Sequence, residues 1–120
     1  MRARKAPNYD LACFCAQQCA EKHLKALLQE NTLTIPKSHD LVKLMELLGT
    51  LYPELLLLAP GLKALSFFAV EFRYPGASAT KEIATQAYNY SSLVREAVRR
   101  ILKATNGAKA RQRSKKKRAG

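Results

Sequence analysis

Long apolar runs are missing from this sequence. None approaches the roughly 20 residues needed to cross a bilayer, and the longest, around Leu55–Leu58, is bracketed by Pro53 and Pro60. No leader is expected either. Arg2, Arg4 and Lys5 open the chain, but Asn8 and Asp10 fall where the apolar segment of a signal peptide would lie. A cytoplasmic protein with no membrane contact is the expectation. Cysteine is scarce: Cys13, Cys15 and Cys19 lie within seven residues of one another. An odd, clustered set is a poor disulfide framework and suits a reducing compartment. Acidic residues are absent from both ends, with none in residues 1–5 or 109–118.

That last absence explains most of the net charge of +12. Residues 1–5 carry three cations and residues 109–118 carry seven: Lys109, Arg111, Arg113, Lys115, Lys116, Lys117 and Arg118. What remains, residues 6–108, holds eleven Lys and Arg against nine acids, a balance of +2. The folded body is nearly neutral and the basicity lives in the termini. At 120 residues and 48% hydrophobic content, the chain is one globular domain. Its expected organisation is a basic segment over 1–8, a helical domain over 9–105 and a disordered basic tail over 106–120.

Nothing in the pattern reads as a strand, whereas four segments read as helix. Small and apolar residues recur at Ala12, Cys15, Ala16, Cys19, Ala20, Leu24, Leu27 and Leu28, which predicts a helix from about Tyr9 to Gln29. Ile35-Pro36-Lys37 is a connector, because the residue before proline is pushed out of the α region. Ser38 is the predicted N-cap of a short helix from about His39 to Leu48. Pro53 and Pro60 suit first turns, predicting a turn over Glu54–Leu58 and a helix from about Gly61 to Phe72. A last helix runs from Ser78 or Thr80 to Asn106-Gly107. The expected fold is an all-α bundle.

Three blocks in this order, "YDLACFCAQQCAEKHLKALLQ" (9–29), "PKSHDLVKLMELL" (36–48) and "FRYPG" (72–76), resemble the HEPN domain family over roughly residues 9–102. The resemblance implies an antiparallel four- or five-helix bundle that pairs as a homodimer. It also implies nucleotide or RNA as ligand and a minimal nucleotidyltransferase as a possible companion. Arg73, Lys25 and Lys22 become the candidate nucleotide- or RNA-binding residues. Many members are RNA-cutting toxins built on an R-x(4–6)-H motif. Measured from Arg73, that histidine would fall at 78, 79 or 80, where this chain has Ser78, Ala79 and Thr80. Members also open with a further amphipathic helix, whereas eight residues precede Tyr9 here, so the expectation is a bundle short of that helix.

Cleaving RNA internally needs a base, a proton donor and positive charge at the phosphate. Arginine supplies only the last, since its proton is too tightly held. The expectation is therefore a chain with no catalytic residues, metal or cofactor: a non-catalytic nucleotide- or RNA-binding or partner subunit of a toxin–antitoxin or nucleotidyltransferase-linked module. The alternative is a metal-independent RNA-cleaving toxin that uses Arg73. His39 and Asp40 are neighbours about 100° apart on a helix and make no dyad. Cys15, Cys19 and His23 share one face, but small residues are what a bundle needs there, and zinc wants four ligands. Gln17, Gln18, Glu21, Lys22 and Lys25 read as a solvated polar face, with Glu21 and Lys25 paired at i,i+4. The tail is expected either to bind phosphate without sequence choice or only to keep the protein soluble, and it has no aromatic residue for stacking on bases. If one helix of the bundle is missing, Leu11, Phe14, Ala20, Leu24 and Leu28 form the strip a second copy would cover.

Overall fold

Asn8 starts the first helix, α1 (Tyr9–Glu30), by accepting a hydrogen bond from the Leu11 amide at 2.9 Å. Asp10 lies in the first turn, where a carboxylate complements the helix dipole. Its Oδ1 also accepts from the Ala79 amide at 2.6 Å, tying the start of α1 to the segment before the last helix. At the other end, Asn31 donates to the Leu27 carbonyl at 2.8 Å and accepts from the Tyr52 hydroxyl at 2.9 Å.

The computed structural model describes residues 8–72 and 76–119, the stretch 107–119 by its backbone only. Among them are α2 (Leu41–Gly49), a 3-10 helix (Pro53–Leu58), α3 (Ala59–Glu71) and α4 (Lys81–Ala119), and no strand. The all-α expectation holds. The cap of α2 differs: Asp40, not Ser38, accepts from the Val42 and Lys43 amides at 3.0 and 3.3 Å. Ser38 instead accepts from the Asp40 amide at 3.1 Å, one turn earlier. A carboxylate answers the helix dipole better than a hydroxyl, so α2 starts at Leu41 and leaves His39 in the connector. Thr80 caps α4 by accepting from the Ile83 amide at 3.2 Å.

These ties also set the directions of the helices. Asp10 meets Ala79, so α1 and α4 start together and run side by side. The connector returns along α1 to place His39 against Gln17, so α2 also runs with α1. Only α3 runs against them, its Gly61 meeting Tyr90 of α4. A Cβ at Gly61 would lie 2.7 Å from the Tyr90 ring, so the two helices approach through the missing side chain.

The core is leucine-rich: Leu24, Leu27 and Leu28 of α1, Leu41, Leu44 and Leu48 of α2, then Leu55, Leu62 and Leu65 are all fully buried. Val94 and Val98 close it from α4. On α1 the buried face is rotated from the expected stripe. Cys13 is buried and Cys15 exposed, Ala12 is also exposed, and Gln17 and Glu21 are buried. Small residues lie on both sides of this helix, so periodicity alone could not choose between them.

Of the strip expected to need a cover, Ala20, Leu24 and Leu28 are fully buried, α1 being packed against α4, α2 and α3. Leu11 and Phe14 stay exposed, together with Phe67 and Val70 of α3. The 3-10 helix and α3 join into a helical stretch, Pro53–Glu71, long and apolar enough by length and composition to cross a membrane. Here Leu55, Leu62, Leu65 and Phe68 seat it in the core.

The largest difference lies at the C-terminus. The backbone of α4 continues through Asn106-Gly107 to Ala119, where an unstructured tail was expected. Residues 108–119 are Ala, Lys, Arg, Gln and Ser with no proline, and all but serine are among the strongest helix formers. Cations at a helix C-terminus also suit its dipole.

Candidate functional site: a buried carboxylate beneath an open groove

Gln17, Glu21 and Lys25 follow one another at i, i+4 and i+8 on α1, directly beside its leucine face. Gln17 and Glu21 are each only 5% exposed, so the expected solvated face is in fact partly inside. A buried carboxylate is costly unless charge and hydrogen bonds answer it. Here His39 Nδ1 lies 3.0 and 3.1 Å from its two oxygens. Lys25 Nζ and Gln17 Nε2 donate to it, both at 3.3 Å. The Gln18 side chain donates in turn to Gln17 Oε1 at 2.8 Å.

Burial by itself pushes the Glu21 carboxyl up. The hydrogen bonds from His39, Lys25 and Gln17 and the Lys25 charge outweigh it, so the group sits below the usual carboxylate range. A carboxylate held ionised by three donors is no proton shuttle near neutrality. Its work is to clasp the connector to α1, helped by the Gln17 amide reaching the His39 carbonyl at 3.5 Å. The sequence reading missed this pair because its members are 18 residues apart. The available signal was the Gln-x3-Glu-x3-Lys line running next to an apolar stripe.

Above the clasp opens a groove of about 600 Å³ between α1, the connector and α3. Phe14, Gln17 and Gln18 form one wall, Ser66, Ala69 and Val70 the other, and His39 and Asp40 the end. The Ser66 hydroxyl makes no hydrogen bond. The His39 side chain is 76% exposed, and none of the hydrogen bonds among the described residues uses its Nε2. Its orienting carboxylate is Glu21, since Asp40 is occupied in capping α2.

The family model of the HEPN domain matches residues 2–101, most of the chain. The chain belongs to the HEPN family. No curated protein and no solved structure matches it.

Within this HEPN domain the two described candidate ligand-binding residues, Lys22 and Lys25, do not share a site. Lys25 is committed to Glu21, and Lys22 lies exposed on the outer side of α1. Arg73 lies outside the described residues. The seven basic tail residues fall on the described backbone of α4, but their side chains lie outside the description. Upstream of them Arg99, Arg100 and Lys103 are exposed on the same helix and surround a shallow concavity with Glu96.

Of the cysteines, Cys19 alone approaches a histidine, with Sγ 3.6 Å from His23 Nδ1, which also bonds the Cys19 carbonyl at 2.8 Å. Among the described residues no three His, Cys, Asp or Glu side chains converge as metal ligands would. Burial, with the Asp10 charge, raises the Cys13 thiol, which leaves it a packing residue.

Proposed function

We propose that this HEPN-domain chain is a non-catalytic binding subunit, one half of a homodimer or the companion of a minimal nucleotidyltransferase in a toxin–antitoxin-type module in the cytoplasm. It engages nucleic acid through its C-terminal helix. One observation carries the reading: α4 leaves the balanced body and continues as helix through a stretch that holds ten cations and no acid from residue 97 onward. Such an element neutralises phosphates and releases counterions. The exposed Leu11, Phe14, Phe67 and Val70 support the pairing, since apolar surface of this kind marks an interface. The test is binding of mixed-sequence RNA and DNA to the full chain and to a chain ending at residue 106. The full chain binds with a steep salt dependence and the shortened chain does not. Equal binding by both would move the site into the body and sink the proposal.

A second reading follows from the His39–Glu21 pair. A histidine oriented at Nδ1 by a buried carboxylate, with Nε2 unbonded, has the geometry of a general base. With Arg73 it would supply the RNA-cleaving alternative with the base that residues 78–80 lack. Incubation with RNA under chelation separates the two readings. No cleavage is expected; cleavage lost in both His39→Gln and Arg73→Ala would favour the nuclease.

A further inference from the structure

The helical state of residues 107–119 places its charges in a definite order, because each residue advances 100° around the axis. Positions 109, 113, 116 and 117 fall along one side of the helix. Positions 111, 115 and 118 fall along the opposite side. All seven are Lys or Arg. Between the two rows lie two neutral flanks, one with Ala110 and Ser114, the other with Ala108 and Gln112. A helix docking on a flat phosphate surface needs cations on one side only. Two opposed rows with neutral flanks suit a channel with phosphates on both walls.

We infer that this part of α4 lies along the major groove of duplex DNA, an inference that rests on the nucleic-acid reading above. The dimensions agree. The major groove of B-form DNA is about 12 Å wide and admits an α-helix, which measures about 10–12 Å across. The major groove of A-form RNA is deep and narrow and does not. Charge density agrees as well. Seven cations over ten residues come to roughly one per 2 Å of helix axis, against roughly one phosphate per 1.7 Å in duplex DNA and one per 3.4 Å along a single strand. Anionic membrane is the poorer fit, because residues 107–120 contain no apolar side chain larger than alanine and so nothing to insert. In the groove a neutral flank faces the base edges, and glutamine on one flank has the donor–acceptor pair that adenine presents.

The experiment measures anisotropy of the full chain with a 20-base-pair DNA duplex, the RNA duplex of the same sequence and each single strand, at several salt concentrations. The DNA duplex binds at least tenfold more tightly than the others. Ala110→Pro keeps every charge but breaks the helix beyond the last core contributors, Ile101 and Leu102. It abolishes the duplex preference and leaves single-strand binding and the melting temperature unchanged. Two triple variants test the opposed rows: K109Q/R113Q/K117Q and R111Q/K115Q/R118Q. Each flattens the log–log salt slope by about 2.7, at about 0.9 per phosphate.

If one triple removes the affinity and the other does nothing, docking is one-sided and the groove placement is wrong. It is equally wrong if all four nucleic acids bind alike, or if polyglutamate at equal charge displaces the DNA, although binding through the C-terminal helix then still stands. A full chain that binds none of them overturns the nucleic-acid reading as well.

Discussion

The charges of the helical body and those of the last third of α4 follow opposite plans. In the body eleven cations face nine acids, and the one deeply buried carboxylate, Glu21, has all its donors supplied by side chains. Residues 109–118 hold seven cations and no acid. In the body the Glu21 charge is used to hold the connector to α1. The extension holds no acid of its own, and the proposal above assigns its charge to an external anion. A net charge read off the composition merges these two uses. Only a map of where each charge sits, and of what it touches, separates them.

The comparison breaks first at Glu21. Glu21→Ala strands Gln17 and Lys25 beside a partly buried gap, and a loss of about 2–4 kcal/mol in urea unfolding is expected. An effect below half a kcal/mol would mean that the clasp is ornamental and the body holds charge as loosely as the extension. Next comes Gly61→Ala, which drives a methyl group into the Tyr90 ring 2.7 Å away. It should cost about 1–3 kcal/mol by overpacking, visible as a lowered melting temperature with nucleic-acid binding unchanged.

A smaller effect is the acid limb of stability. The folded Glu21 carboxyl lies below its ordinary value of 4.5, so its contribution is complete above that pH and is lost as pH falls through the lowered folded value. Glu21→Gln should flatten this limb of a stability–pH curve, and identical limbs in the two proteins would refute the assignment. The smallest effect sharpens the contrast: ending the chain at residue 106 should change the unfolding free energy by less than about 0.5 kcal/mol, as for a surface change away from any packed feature. A larger loss would show that the extension belongs to the body after all.

Much of the body was legible because its signals are local. Pro60 in the first turn of α3 and the leucine spacing of α2 each act within one or two turns, and the sequence reading placed these elements to within two residues. Ser38 and Asp40 show where that resolution ends. Both are good caps, and the choice fell to the residue whose upstream neighbour, His39, had a distant partner. Gln17 and Glu21 were assigned to solvent because alanines and cysteines surround them on every side of α1, which leaves the hydrophobic period without a preferred direction. Asn106-Gly107 read as a stop on its own chemistry, although the run of strong helix formers that follows outweighs two weak positions.

By itself, the sequence determined that the chain is all-helical, that it carries HEPN blocks in order, that its histidines avoid residues 78–80, and that its basicity is terminal. These are properties of spacing and composition, and no distant contact can alter them. The tertiary structure decided which side of α1 is interior, since that depends on where α4 and the connector come to lie. It made Glu21 a buried clasp, because His39 reaches it only after the chain folds back along α1. It also turned a list of cations into two opposed rows, since a linear run of charge acquires sides only once its backbone is a helix.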